Sequence, residues 1–440
     1  MIKLLILADD FTGALDTGVQ FSQAGVVTLV SAGFDSLANL SLSGSSLSYG
    51  KPPDVLVLDL ETRHLPSEQA RKRVQRATEL AVQQAIPHIY KKFDSALRGN
   101  IGGELEGLLT GATEEPLVFV PAYPENDRIT ISGSHFVGGL PVTKSIFAND
   151  PFTPVLYDYI PDIIAQQTKR KTNIVTKRDL PDLNIRSLKG QISVFDASGE
   201  HDMVNIASVI KNSGTPKLMA GCAGFAKYLP DMLDLSRTEI EVPIMDEGLL
   251  VVCGSINANT LEQVGYASRL SFTVVELTPE QKMIENFAET TQGNELITQL
   301  QLMYKKNRRL IIQAASDNKS VEETNQLARQ MGRSPEESRK QVATNLGQIT
   351  GSLLSRIDLG TLVVFGGDTL MSVLDSINQG EIYPIKEVQA GVAHSTFMLN
   401  GKPTNLITKS GGFGQKNCIM QIEAYAQQNS LKYRENLIAS

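Results

Sequence analysis

The sequence is poor in the features that mark several protein classes. Its three cysteines, Cys222, Cys253 and Cys418, lie far apart and in no CxxC spacing. That excludes a disulfide framework and a zinc site of the usual pattern, and it fits a reducing, cytoplasmic setting. Basic charge is short as well: 41 Lys and Arg face 48 Asp and Glu, for a net charge of -7. A general polyanion binder carries a basic field, and no stripe of basic and aromatic residues occurs here, so no nucleic-acid partner is expected. No stretch approaches ~20 uninterrupted apolar residues, so no membrane partner is expected either. The apolar start, Met1–Ala8, is too short for a signal-peptide core and meets Asp9-Asp10 at once. Neither GxxxxGK[ST] nor a GxGxxG after the first strand is present.

What remains is ordinary globular usage: 41% hydrophobic and 20% charged residues, with 35 Gly and 19 Pro in 440 residues. Length alone suggests about three domains. The chain instead alternates short apolar runs, Gly/Asp/Ser turns and amphipathic stretches. Lys3–Ala8, Val26–Val30, Asp54–Asp59, His88–Lys91 and Leu117–Val120 read as strands; Thr12–Ala24 and Ser67–Gln84 read as helices. Ser41–Ser48 reads as a solvated loop, and Phe136–Asp182, with Pro141, Pro151, Pro154 and Pro161 among its residues, as a long irregular excursion. Alternation resumes with strands at Gln191–Phe195 and Lys217–Ala220 and helices at Asp202–Lys211 and Gly224–Leu233. Ser236–Gly248, polar around Pro243, is the predicted boundary. Beyond it, Leu249–Val252, Phe272–Glu276, Arg309–Gln313 and Thr361–Phe365 read as strands. Asn259–Arg269, Pro279–Phe287 and Glu336–Ile357 are the helices between them. The expected fold class is α/β: two domains with mainly parallel sheets and helices on both faces, function gathering at the carboxyl ends of strands.

Chemistry-bearing residues concentrate at those strand exits. Asp9 and Asp10 follow the first strand, where adjacent carboxylates accept a hydroxyl proton or hold a polyol; Asp10 or Thr12 would equally serve as a helix cap. Lys92, Asp94, Ser95 and Arg98 fall within seven residues, closed by Gly99, and make an anion clamp beside a carboxylate and a hydroxyl. Lys91 is assigned to a solvated face. Arg63 adds a third cation at the same rim, and His135 is read chiefly as a hydrogen-bonded structural group.

In the second half, Gly366-Gly367-Asp368-Thr369 follows a strand and opens a helix, which presents amides and a hydroxyl to phosphate; a plain capped turn is the alternative. Thr408-Lys409-Ser410-Gly411-Gly412-Phe413-Gly414 repeats the pattern, and Cys253-Gly254-Ser255 adds a third Gly-Ser exit.

The strings ADDFTGA (8–14), KKFDSALRGN (91–100), FVPAYPENDR (119–128), CGSINANT (253–260), FGGDT (365–369) and TKSGGFG (408–414) occur in that order. Together they resemble the four-carbon acid sugar kinases, ATP-dependent kinases of threonate, erythronate and 3-oxo-tetronate. The resemblance runs from residue 4 to about residue 420. It implies a sugar-acid-binding domain over 1–240 and a nucleotide-binding domain over 248–425. By resemblance, Asp10, Arg63, Lys92, Phe93, Asp94 and Ser95 line the acid-sugar site, with Asp9 and Arg98 beside them. Ser255, Gly366, Gly367, Asp368, Thr369, Gly411 and Gly412 would hold ATP, with Gly414 in the same turn. Ala96, Asp127 and Ala390 depart from the residues usual in the family, which bears on the acceptor pocket more than on the nucleotide site. The implied reaction phosphorylates the terminal hydroxyl of a tetronate. Asp10 or Asp94 would be the base, Asp368 the carboxylate for Mg²⁺, and Lys409 the partner of the γ-phosphate. The expected partners are a sugar acid and ATP, with a homodimer left open. A kinase or ligase for another polyhydroxy acid, or a sensor without turnover, are the rival readings.

Overall fold

A computed structural model describes the chain apart from residues 1, 33–36, 38–51, 114, 151, 239–241, 243, 246–247, 410–411 and 440, and the backbone alone over 431–439. The loop expected at 41–48, Pro243 of the expected boundary, and Ser410 and Gly411 lie outside the described residues. The chain divides into two compact units, Met1–Ile240 and Glu241–Ser440.

In the first unit, β1 (Leu4–Ala8) is buried along its whole length, as an unbroken apolar run must be when both faces of its sheet are covered. β2 (Thr28–Ala32), β3 (Val55–Asp59), β4 (His88–Lys92) and β5 (Leu117–Val120) follow. The helices Phe11–Gln23, Ser67–Gln83 and Ile101–Gly111 run between them. A short antiparallel set, β6 (Arg128–Ile131), β7 (Ser134–Val137) and β8 (Leu140–Pro141), precedes β9 (Thr172–Val175), β10 (Ile192–Phe195) and β11 (Leu218–Gly221). The strand order is β2-β3-β1-β4-β11-β5-β10-β9, and every neighbouring pair is parallel. Register decides where the chemistry falls. Ala8 lies opposite Asp59 on one side and Lys92 on the other, so three strands end level and release Asp9, Leu60 and Phe93 at one edge.

The excursion expected over 136–182 is more regular than its prolines suggest. β9 in fact extends the parallel sheet, and β6–β7 is a hairpin whose turn, Ser132-Gly133, has φ of +50° and +76°, the twist a two-residue hairpin requires. The helix expected over 224–233 is two short helices, Ala223–Ala226 and Leu229–Met232, because Pro230 sits in the first turn of the second.

The second unit contains β12 (Leu249–Cys253), β13 (Thr273–Glu276), β14 (Arg309–Gln313), β15 (Thr361–Phe365), β16 (Glu381–Gln389), β17 (Val392–Leu399) and β18 (Lys402–Lys409). β13-β14-β12-β15-β18 are parallel neighbours, while β18-β17-β16 form an antiparallel meander. Val251, Cys253, Ile311, Val363, Phe365 and Ile407 of the sheet pack against Cys418, Ile419 and Ile422 of the C-terminal helix Cys418–Ala439. The helix Pro335–Leu354 lies against Gly367–Ser376 through Gly347 and Gly351. A Cβ on these would fall 2.4 Å from the Ser372 carbonyl oxygen and 2.3 Å from Ser376 Oγ. That close approach fixes the helix whose first turn carries Asp368 and Thr369.

Candidate functional site

At the β1 exit, Asp10 caps the helix Phe11–Gln23, its Oδ1 accepting from the Gly13 amide at 3.0 Å. The other oxygen of Asp10 accepts from Arg63 Nη1 at 2.7 Å, and Asp9 Oδ2 accepts from Arg63 Nε at 2.7 Å. One guanidinium therefore bridges both carboxylates, so capping and the paired-acid arrangement coexist. Asp9 is buried, whereas the Asp10 side chain is 30% exposed. Burial pushes the Asp9 carboxyl up, but Arg63, Lys92 and Lys91 outweigh it and hold the group below its ordinary value.

The Lys92 ammonium is buried, with Asp9 Oδ1 at 4.0 Å. A Cβ on Gly13 would lie 2.5 Å from both Lys92 Nζ and Asp10 Oδ1, so this cation stands at the first turn of the helix, where amides face outward. Arg98 is committed elsewhere. Its Nε and Nη2 donate to Asp94 Oδ2 and Oδ1, each at 2.9 Å, and Nη1 donates to Asp150 at 3.0 Å. Asp94 also accepts from the Ala96 and Arg98 amides. Burial alone would raise its carboxyl, but the Arg98 bonds and the Arg63 charge hold it well below the carboxylate range. The Phe93 ring is 1% exposed and packs edge-on against Phe119 at 5.6 Å, so it belongs to the core beneath the loop. Ser95 is half-buried, and its carbonyl accepts from His135 Nε2 at 2.9 Å. His135 is fully buried, and burial pulls its imidazole down to about 4, which keeps it neutral as a brace for that turn.

Lys91 is not on a solvated face. Its side chain is completely buried, and Nζ meets Glu104 Oε2 at 2.8 Å. β4 lies between β1 and β11 with both faces covered, so alternation along this strand offers no solvent side. Two further carboxyls stand at this edge, Asp59 and Glu104, with no adjacent charge in the sequence to signal them. Asp59 accepts from the Glu61 amide through one oxygen while the other is buried without a partner; burial raises it well above its ordinary value. Glu104 is buried too, and raised by that burial against the pull of Lys91.

In the second unit, Gly366 has φ of +106° and caps the helix Gly367–Ser376. A Cβ there would lie 3.6 Å from Thr369 Oγ1 and 3.8 Å from the Ser255 nitrogen; one on Gly254 would fall 1.9 Å from Thr369 Oγ1. The exits of β12 and β15 thus meet, bringing Ser255, Gly366 and Thr369 together. The Asp368 side chain is 74% exposed, with Arg339 Nε at 3.8 Å.

The loop after β18 is held by two carboxamides, Asn259 and Gln263. Asn259 Nδ2 donates to the carbonyls of Gly412, Phe413 and Gly414, and Gln263 Nε2 to those of Phe413, Gly414 and Gln415. Asn259 lies within the CGSINANT string; Gln263, one turn on, had no signal beyond its helical spacing. Lys409 points inward, donating to Thr260 Oγ1 and the Phe413 carbonyl, each at 3.2 Å, and burial lowers its ammonium below the usual value. Gly414 has φ of +82° and packs on Cys418.

Among the described residues no group of three or more His, Cys, Asp or Glu side chains could hold a metal. A single exposed carboxylate such as Asp368 still suits Mg²⁺, which takes one or two carboxylates and fills its octahedron with phosphate and water. No helix among the described residues is long and apolar enough to cross a membrane.

Residues 4–229 match the family model of a sugar-binding N-terminal domain, and residues 250–419 that of a nucleotide-binding C-terminal domain. The D-threonate kinase of Salmonella typhimurium is 28% identical over 439 residues, covering 97% of this chain and 99% of that protein. The D-erythronate kinase of Heliobacterium modesticaldum is 26% identical, over 95% of each. A 3-oxo-tetronate kinase of Pseudomonas fluorescens is also 26% identical, over 93% of this chain and 94% of that protein. The crystal structure of Haemophilus influenzae protein HI1011 has the same fold, with a TM-score of 0.72 at 21% identity over 97% of this chain and 100% of that one. The chain belongs to the four-carbon acid sugar kinase family and is a phosphotransferase with an alcohol group as acceptor.

Proposed function

We propose that this protein transfers the γ-phosphoryl group of ATP to the terminal hydroxyl of a four-carbon sugar acid of the threonate, erythronate or 3-oxo-tetronate type, giving the 4-phosphate, in the cytoplasm. The observation that carries the reading is the juxtaposition of Asp10 and Lys92 about the first turn of the helix Phe11–Gln23. A tetronate needs a cation for its carboxylate and acceptors for its hydroxyls. Lys92 supplies the cation, since the forks of Arg63 and Arg98 are occupied by Asp9, Asp10, Asp94 and Asp150. Arg63 fixes the two acids, and Ser95 follows Asp94 in the loop after β4.

Asp10 suits the base better than Asp94. Both Asp94 oxygens are held by Arg98, and a carboxylate so far below its ordinary range is a weak proton acceptor. Asp10 orients the hydroxyl and takes its proton as the bond to phosphorus forms, a modest demand in a loose transition state. Amides of Ser255, Gly367, Thr369, Gly411, Gly412 and Gly414 serve the phosphates; Gly366, whose own amide donates to the Lys409 carbonyl at 3.2 Å, shapes the turn that presents them, while Lys409 braces the last of these loops from within. Asp368 would hold Mg²⁺, which neutralises phosphate charge when bound.

The test is ADP release with D- and L-threonate, D- and L-erythronate and 3-oxo-tetronates, with phosphorus NMR locating the product phosphate. Turnover of one tetronate to its 4-phosphate is expected. Failure with all of them, or a phosphate at another carbon, overturns the reading.

A further inference from the structure

Lys91 and Glu104 have no role toward substrate of their own, yet both are completely buried, with Lys91 Nζ 4.8 Å from the centroid of the Phe93 ring. Taking two such charges from water costs several kcal/mol each, and a well-packed apolar pair is often no less stable. Core stability therefore does not explain them. Their contacts are all aimed at strand exits. Lys91 Nζ donates to Glu104 Oε2 at 2.8 Å and to the carbonyls of Leu7 and Lys92, each at 3.0 Å, which uses its three hydrogens. The same Glu104 oxygen accepts from Thr62 Oγ1 at 2.9 Å.

Leu7 lies two residues before Asp9, Thr62 is the residue before Arg63, and the third carbonyl is that of Lys92 itself. The Thr62 and Arg63 amides donate to the Asp9 carbonyl at 3.0 and 3.2 Å, which closes the loop between the exits of β1 and β3. One turn before Glu104, Asn100 Nδ2 donates to the carbonyls of Thr62 and Leu65 at 2.9 and 2.8 Å. A Cβ on Gly99 would meet Arg63 Cγ at 3.1 Å. The start of the helix Ile101–Gly111 is thus a mould for the Thr62–Leu65 turn.

We propose that the Lys91–Glu104 pair, with Thr62 and Asn100, is a positioning device that sets Arg63 and Lys92 in register for the acceptor acid. It rests on the reading of this edge as the acceptor site. In such a site an ångström of misplacement weakens productive binding while leaving the nucleotide untouched.

The experiment uses the full chain and the tetronate that the wild type phosphorylates. Glu104→Gln should raise the KM for the acid about tenfold with the KM for ATP unchanged, and should speed hydrogen exchange at the Thr62–Leu65 amides. Lys91→Met with Glu104→Leu removes the charges together; the melting temperature should return toward wild type while the acid KM stays raised. A purely structural pair would restore both at once. An unchanged acid KM or unchanged exchange in Glu104→Gln, or recovery of the acid KM in the double variant, overturns the proposal. Arg63→Ala separates the two failures: if it too leaves the acid KM unchanged, the acceptor-site reading is at fault; if it raises the KM, only the positioning role is.

Discussion

At the scale of single residues, neighbouring carboxylates divide their work by what holds them. Asp10 keeps an exposed edge, whereas Asp94 is enclosed by Arg98 and two amides. Asp10→Asn should therefore lower kcat by about 100-fold while the KM for ATP stays put, since general-base groups contribute on that order. Wild-type kcat in that variant would remove Asp10 from the chemistry. His135 gives a second test. Its imidazole titrates near 4 when folded, against 6.5 for the ordinary value, so between those limits the unfolded chain binds a proton that the folded one refuses. Stability contributed by the neutral ring is present above pH 6.5 and is lost as pH falls toward 4, by about 3 kcal/mol in all. His135→Gln, which keeps a donor for the Ser95 carbonyl, should flatten that part of the urea-midpoint profile; an unaltered slope would contradict it. Asp9, Asp10, Arg63 and Lys92 were legible in the sequence because unlike charges bunch where apolar runs stop. Lys91 was not: two adjacent lysines look alike on paper, and only the position of β4 between two strands consigns one of them to the interior.

At the scale of elements, the apolar strands of the parallel sheets were readable to within a residue or two, since unbroken apolar runs leave little choice; the edge strand β9, Thr172–Val175, was not, because only one of its four residues is buried. The meander β16–β18 was not. Pro384, Lys386 and Glu387 interrupt β16, and register shifts fall between Pro384 and Lys386 and between Glu387 and Gln389. The clue lay in the Asn400-Gly401 pair, a two-residue turn with φ of +51° and +77° between Leu399 and Lys402. Close-packed elements also make a prediction. Gly254→Ala places a methyl 1.9 Å from Thr369 Oγ1, so the Thr369 side chain at the start of the helix Gly367–Ser376 must be displaced. An increase of about tenfold in the KM for ATP, with the acid KM unchanged, is expected from a displacement of that size. Equal ATP titrations for variant and wild type would show that this strand exit does not bind the nucleotide.

At the scale of the molecule, the chain's length suggested more domains than its pattern of alternation, and the structure divides into two units. If each holds one ligand, calorimetry should resolve two transitions. A tetronate should raise one and a non-hydrolysable ATP analogue the other, each by about 2.7 kcal/mol of stabilisation at a hundredfold excess over Kd. A single ligand that moved both equally would refute that allocation. Overall acidity is no obstacle to two anionic ligands, because the proposed binding groups are a few side chains and amides at strand ends. One close approach at the acceptor edge is at Gly13, a residue without a side chain. The smallest lesion available there, one methyl, would land on the Asp10 oxygen and the Lys92 nitrogen together, striking the proposed proton acceptor and the proposed counter-ion of the acid in one step. In mutational terms, position 13 has no silent neighbour.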